Sequence, residues 1–313
     1  MRHCKLIAPA KVNLYLEILG IREDGYHELA MILQSIDLAD EIEVRSLSEG
    51  KIIVSCDHPQ VPTDNSNIAY KAGELMAKEF PQAFAKYGGV EIKIEKRIPV
   101  AAGLAGGSTN AAAVLVAVDL LWELGLTQSE IEELGGRLGS DVPFCVAGGT
   151  VIGTGRGEQL SPLPSLDNIY IVLGKYRSLG LSTPWVYKSY REKYSDRYIK
   201  DRESLASRAA AVHSASIVKA VLGKEAKEIA VKMHNDLEKV VLTEYPQVLE
   251  LREEFAKYDV LGVMMSGSGP SVFAICESHQ KAEVVKQQIR EAISDEDLEL
   301  FVTKLSNRGI QVV

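Results

Sequence analysis

The stretch Pro99-Val-Ala-Ala-Gly-Leu-Ala-Gly-Gly-Ser-Thr-Asn-Ala-Ala-Ala-Val-Leu115 is a glycine-and-hydroxyl loop running into an alanine-rich helix. Gly103, Gly106 and Gly107 let the backbone approach a bulky anion, and Ser108 or Thr109 is placed to cap the helix. The first amides of that helix, which have no partner within it, then point at the ligand. The loop is not a Walker A motif, because no Lys-Ser or Lys-Thr follows the glycines, and it lacks the Gly-x-Gly-x-x-Gly of a dinucleotide fold. The preceding run, Val90-Glu-Ile-Lys-Ile-Glu-Lys-Arg-Ile-Pro99, alternates apolar and charged residues. The context is therefore a half-buried strand, a loop and a helix, and it reads as a cradle for nucleotide phosphates.

Composition narrows what lies around that cradle. The chain has 313 residues, longer than one core usually serves, and 46% apolar residues to fill two. Its formal charge of −8 offers no general attraction for nucleic acid or anionic lipid, so phosphate recognition must come from backbone amides and a few placed cations. The four cysteines, Cys4, Cys56, Cys145 and Cys276, show no Cys-x-x-Cys pair and no zinc-finger spacing to histidine, which predicts free thiols in a reducing compartment. The first residues lack the apolar stretch of a signal peptide, and the longest apolar run, residues 111–118, is too short to span a bilayer. A soluble cytoplasmic protein is expected.

Outward from the loop, the pattern predicts a first strand in which Val12, Leu14, Leu16 and Ile18 share one face, and Lys11, Asn13, Tyr15 and Glu17 the other. Residues 41–45 and 51–55 read as strands joined near Gly50, and residues 67–80 as a helix. The helix after the loop is expected to stop at Gly125, and Thr127 with Glu130 forms a capping-box pair opening the next. Leu138-Gly-Ser-Asp-Val-Pro-Phe144 reads as a turn with one acid. Pro162 and Pro164 mark the expected boundary between a domain at 1–160 and a second at 161–313. Beyond it come a strand at 168–173, helices from 184 to 257, and strands at 260–265, 271–276 and 298–305 with a helix at 279–293, giving an α+β class. Seven basic and four acidic residues mix between Lys188 and Arg208, which reads as a solvated face. Tyr190, Tyr194 and Tyr198 at helical spacing read as packing, with Tyr187 set apart as a stacking residue.

Three glycine-containing blocks in order resemble the galactokinase, homoserine kinase, mevalonate kinase and phosphomevalonate kinase (GHMP) superfamily: Pro9-Ala-Lys-Val-Asn-Leu14, the 99–113 loop, and Ser266-Gly-Ser-Gly-Pro-Ser271. Asp24-Gly-Tyr-His-Glu-Leu29 and Leu138-Gly-Ser-Asp-Val-Pro-Phe144 are similar to motifs of one branch, the 4-diphosphocytidyl-2-C-methyl-D-erythritol kinases of non-mevalonate isoprenoid synthesis. The resemblance covers nearly the whole chain. It implies the GHMP kinase fold: an amino-terminal domain like the second domain of ribosomal protein S5, then a ferredoxin-like carboxy-terminal domain, with ATP and substrate meeting between them.

The implied reaction moves the γ-phosphoryl group of ATP to the 2-hydroxyl of the methylerythritol unit. Positioning and charge neutralisation do most of that work. By resemblance Asp141 is the catalytic base and Lys11 the cation beside it, drawing the hydroxyl into line. Tyr26 and Tyr187, just after Thr183-Pro184, would sandwich a cytosine whose edge His27 reads, and Asn13 would bond a substrate hydroxyl. Asn67 and Lys96 match positions lining the adenosine pocket, while Pro99, Gly103, Leu104, Ala105, Gly106, Gly107, Ser108 and Thr109 make the phosphate loop. Gly267 and Gly269 resemble a loop closing on substrate phosphates. Magnesium is expected from the chemistry, with Ser108 a candidate contact. Asn110 stands where many relatives carry Asp, so no carboxylate ligand is expected there and the metal's ligands stay open. The competing readings are a homoserine or mevalonate kinase and a non-catalytic ligand sensor; the pair Lys11 and Asp141 argues against the last.

Overall fold

A computed structural model describes residues 2–313. Its strands are β1 (His3–Ile21), β2 (His27–Ser46), β3 (Ile52–Cys56), β4 (Val90–Glu95), β5 (Thr150–Gly155), β6 (Gln159–Leu163), β7 (Tyr170–Tyr176), β8 (His234–Asn235), β9 (Gly262–Met265), β10 (Val272–Cys276), β11 (Leu298–Lys304) and β12 (Gln311–Val312). Helices α1 (Ile68–Glu79), α2 (Pro81–Tyr87), α3 (Gly106–Trp122), α4 (Gln128–Leu138) and α5 (Val142–Ala147) belong to the first half. The second half contributes α6 (Thr183–Tyr194), α7 (Arg202–Ala211), α8 (Ser216–Gly223), α9 (Ala226–Lys232), α10 (Glu238–Glu244), α11 (Pro246–Phe255) and α12 (His279–Ala292).

Two sheets result. The larger runs β12-β1-β2-β4-β3, with β5 and β6 continuing from the other end of β2 and β8 pairing in parallel with β1. The smaller, β11-β7-β10-β9, is antiparallel throughout; with its strands numbered in chain order, the sequence across it is 4-1-3-2, the ferredoxin-like arrangement. The mixed α+β class and the ferredoxin-like second sheet are as expected. β1 and β2 are long enough, at 19 and 20 residues, to serve different neighbours along their length.

Several local expectations are corrected. β2 and β3 are not a hairpin: β4 lies between them and pairs with β3 in parallel, because α1 and α2 carry the chain across before it returns. The proline-marked segment is not a linker, since residues 159–163 form β6 on β5 and a division at 160/161 would cut that strand. Pro162 is tolerated because β6 is an edge strand. Helix α3 ends at Trp122, where Glu123 itself takes the left-handed conformation (φ 55°), two residues before the expected stop at Gly125. The Thr127–Glu130 capping box is present in full.

The alternation along β1 breaks. A register shift between Asn13 and Tyr15 inverts the pleat, so Lys11 and Asn13 share their side of the sheet with Leu16, while Tyr15 and Glu17 leave it. Val12 and Leu14 accordingly fall in one hydrophobic cluster, with Ile32, Ile98 and Phe273, and Leu16 and Ile18 in another, with Leu33, Val114 and Leu115.

α3 is the spine of the first half. From Thr109 to Leu115 every residue is buried, and small alanines at 111–113 let it lie close to the sheet. Each fully buried Val or Leu in it contributes roughly 1.5–3 kcal/mol. That burial holds the first turn of α3, and hence the glycine loop, in place.

Candidate active site

The two halves enclose a cavity of about 830 Å³. Its walls come from β1, the glycine loop, the first turn of α3, the start of α5, the Gly267–Ser268 turn and α6. Lys11, only 5% exposed, donates from Nζ to Asn13 Oδ1 at 2.7 Å and lies 3.7 Å from Asp141 Oδ2. The residues are 130 apart in sequence. The backbone of Lys11 donates to Leu104 O at 3.1 Å, which ties β1 to the glycine loop. Asp141 occupies the N-cap position of α5 but makes no capping bond, so its carboxylate is left for the cavity. Among the described residues it is the only acid in the cavity wall, against Lys11, Lys96, Arg156, Lys188 and Arg191. A chain of net charge −8 thus lines one hollow with positive charge, which draws an anionic ligand there.

In the loop, Ala105 takes the left-handed conformation (φ 58°) and α3 starts at Gly106, one residue later. Ser108 and Thr109 therefore lie inside the first turn and cap nothing, a correction to the sequence reading. Thr109 N is the first amide of the helix to find a partner, Ala105 O, so the amides of Gly106, Gly107 and Ser108 are free to face a phosphate. Gly103 (φ 73°) has no room for a side chain: a Cβ there would stand 2.3 Å from Ser266 O. The early and late glycine turns thus rest on each other, joined by Ser266 Oγ donating to Gly103 O.

Of the anticipated residues, Lys11, Asn13, Tyr26, His27, Asn67, Lys96, Pro99, Gly103, Leu104, Ala105, Gly106, Gly107, Ser108, Asp141, Thr183, Tyr187 and Gly267 line the cavity. Thr109 and Gly269 do not. Thr109 is wholly buried, with an unpartnered Oγ1, and Gly269 is buried in its turn against Met265. Asn67 also caps α1, accepting from Ala69 N at 2.8 Å. Thr183 Oγ1 bonds Ser268 Oγ at 2.8 Å, which couples α6 to the late glycine turn.

At the other end of the cavity Arg156 lies over the exposed ring of Tyr26, 4.8 Å from its centroid. His27 packs against Tyr187 with centroids 5.2 Å apart, and its Nε2 lies within hydrogen-bond distance of the Tyr198 hydroxyl, 2.9 Å away. Burial, aided by the charge of Arg191, pulls the His27 pKa down to about 4, leaving a neutral imidazole at physiological pH.

Family models for the GHMP kinases N terminal domain and the GHMP kinases C terminal match residues 67–149 and 217–295. The chain is 72% identical over its full length to the 4-diphosphocytidyl-2-C-methyl-D-erythritol kinase of Nostoc punctiforme (strain ATCC 29133 / PCC 73102), of which 99% is covered. It is 60% identical to that of Trichodesmium erythraeum (strain IMS101), again over 100% of this chain and 99% of the other. The chain belongs to the 4-diphosphocytidyl-2-C-methyl-D-erythritol kinase family. A crystal structure of 4-(cytidine 5'-diphospho)-2C-methyl-D-erythritol kinase superposes with a TM-score of 0.74 at 30% identity, over 97% of this chain and all of that one. A homoserine kinase from Cytophaga hutchinsonii superposes at 0.76 but with 17% identity, over 100% of this chain and 98% of that one, a likeness of fold alone. Within this family of ATP-dependent small-molecule kinases, the chain places further residues that sequence reasoning missed. Arg191 stands one helical turn from Tyr187, a spacing that was legible, and Arg156 sits between two glycines. Asp40 carried no signal: it lies on a strand among alternating residues, yet it is fully buried and joins Lys96 and Asn110 beneath the loop.

Proposed function

We propose that this protein transfers the γ-phosphoryl group of ATP to the 2-hydroxyl of 4-diphosphocytidyl-2-C-methyl-D-erythritol, giving the 2-phosphate and ADP, a step of non-mevalonate isoprenoid precursor synthesis. The observation that carries this reading is the convergence of Lys11 Nζ and Asp141 Oδ2, 3.7 Å apart, on the cavity beside the free amides of α3. The substrate hydroxyl gives its proton to Asp141 as its oxygen bonds to the γ-phosphorus and the bond to the β-γ bridging oxygen breaks. Lys11 stabilises the negative charge that develops on the attacking oxygen. The amides of Gly106, Gly107 and Ser108, with Lys96 near Gly106, hold the ATP phosphates, and Asn67 and Pro99 flank the nucleoside. Asn13 and Gly267 contact the acceptor, and Tyr26, His27, Thr183 and Tyr187 hold its cytidine end.

Among the described residues no group of three or more His, Cys, Asp or Glu side chains could cage a metal. The carboxylate of Asp141 and the hydroxyl of Ser108 both line the cavity, which suits an ion carried in on the triphosphate and still largely hydrated. Magnesium bound there would neutralise phosphate charge. The division of labour follows the fold: an ATP-binding unit running through β6, and a unit from β7 onward that adds the late glycine turn and α6. Four unpaired cysteines suit the cytoplasm. Among the described residues no helix is long and apolar enough to cross a membrane.

Coupled ADP release, with the cytidyl substrate, mevalonate and homoserine offered in parallel, tests the assignment. Turnover is expected with the first alone; turnover of either other compound in its place would overturn it. Asp141→Asn is expected to abolish turnover while ATP affinity stays within about threefold, because the residue acts on the acceptor in the transition state. Normal turnover by that variant removes Asp141 from the mechanism.

A further inference from the structure

His27 is held from behind by a residue whose sequence pattern reads as packing. The rings of His27 and Tyr198 meet edge to face at 5.7 Å, with the phenol oxygen 2.9 Å from Nε2. Tyr198 is itself backed by the buried ring of Tyr190, nearly parallel to it at 16° and 6.3 Å away. The next residue, Ile199, donates its amide to Leu19 O at 2.9 Å, so the backbone carrying Tyr198 is pinned to β1. Nδ1 of His27 has no partner among the described residues, and His27 lines the cavity.

We propose that Tyr198 is a positioning residue that locks His27 as its Nδ1–H tautomer, so that the imidazole offers the cavity a donor and selects a cytosine edge over a uracil edge. The inference deepens the kinase reading above and rests on it for the identity of the base. A neutral imidazole has one N–H and one lone pair, and the partner of one nitrogen decides which is which. Burial, moderated by Arg191, pushes the Tyr198 hydroxyl up to about 12, so the phenol keeps its proton. A phenol O–H is a better donor than a neutral imidazole N–H, so the hydroxyl donates to Nε2 and the ring proton resides on Nδ1. The pairing edge of cytosine carries acceptors at N3 and O2. Both bases present O2 as an acceptor and differ at N3, where uracil carries N3–H; with Nδ1–H directed at N3 the two would meet donor to donor, and a position built to give one hydrogen bond disfavours the base that cannot take it there.

Two measurements on the full-length protein decide this. Imidazole 15N shifts of the wild type should show Nδ1 protonated and Nε2 accepting; in Tyr198→Phe, which keeps the ring packing and removes the hydroxyl, the two tautomers should mix. In kinetics, Tyr198→Phe should raise KM for the cytidyl substrate roughly three- to tenfold with kcat and the KM for ATP unchanged, the loss of one hydrogen bond's net worth. The preference over the uridyl analogue should narrow by a similar factor. A wild-type His27 protonated at Nε2, a tautomer unchanged in the variant, or an unchanged preference overturns the proposal. If the wild type binds ATP but does not turn over the cytidyl compound, the kinase reading fails instead, and the 15N shifts still decide whether Tyr198 sets the tautomer.

Discussion

Asp40 shows how much one buried charge can organise. It has no exposed surface, accepts from Arg97 N and Ile98 N at 2.8 Å each and from Asn110 Nδ2 at 2.7 Å, and pairs with Lys96. Removing the carboxylate strands a buried ammonium and three donors, so Asp40→Ala is expected to cost about 3–5 kcal/mol in urea unfolding, with the KM for ATP raised in whatever folds. Asp40→Ala with unchanged stability would show that water satisfies these donors. His27 gives a pH signature. Its native pKa, near 4, lies below the ordinary 6.5, so on acidification the unfolded chain takes up a proton the folded one refuses. Stability should therefore fall as pH drops from about 6.5 to about 4, and His27→Gln should flatten that slope. Lys11 and Asp141 were legible because motifs carry them; Asp40 and Tyr198 were not, because a lone acid on a strand and a tyrosine on a stripe have bland sequence contexts.

Between elements, the contact that matters most is that of the two glycine turns. Gly103→Ala puts a methyl group 2.3 Å from Ser266 O on a backbone at φ 73°, and both faults act together. The turns must part, so KM should rise for ATP and acceptor alike with a loss of roughly 1–3 kcal/mol in stability, whereas a wild-type KM for both would mean the turns flex independently. Asp236 makes a second tie, between β8 and β1. Its Oδ2 accepts from Ile18 N at 2.8 Å, and Oδ1 pairs with His234 and Lys239. Burial alone would raise its pKa, but the His234, Lys239 and Ile18 bonds outweigh it and hold the carboxyl at about 2. A depressed carboxyl stabilises the fold above its ordinary 3.8 and loses that contribution as pH falls toward 2. Asp236→Asn should flatten the acid limb between about pH 4 and 2, by roughly 2 kcal/mol. At this scale the helices α1, α3, α4 and α12 and the strands of the smaller sheet were readable from periodicity, but the first part of β2, which was read only at 41–45, the start of α5 in a segment read as a turn, and the inverted pleat of β1 were not, since a bulge leaves the order of apolar residues untouched.

Across the whole molecule, the cavity is walled by residues of both halves, from Lys11 and the glycine loop to Tyr187 and the Gly267–Ser268 turn. A non-hydrolysable ATP analogue and the acceptor, each at about a hundred times its Kd, should stabilise the protein by up to roughly 2.7 kcal/mol apiece, and a melting temperature indifferent to both would contradict the placement of the site. The chain alone determined the class of fold, the glycine loop, the proposed catalytic pair and the kinase branch, because a phosphate cradle needs particular residues in consecutive order and the motifs are local. Only the folded chain decided that Ser108 and Thr109 cap nothing, that Thr109 and Gly269 turn away, that the proline segment is a strand, and that five cations face one carboxylate in a chain of net charge −8. Those outcomes depend on which residues meet from distant parts of the chain, as where the Gly103 and Ser266–Gly269 turns rest on each other.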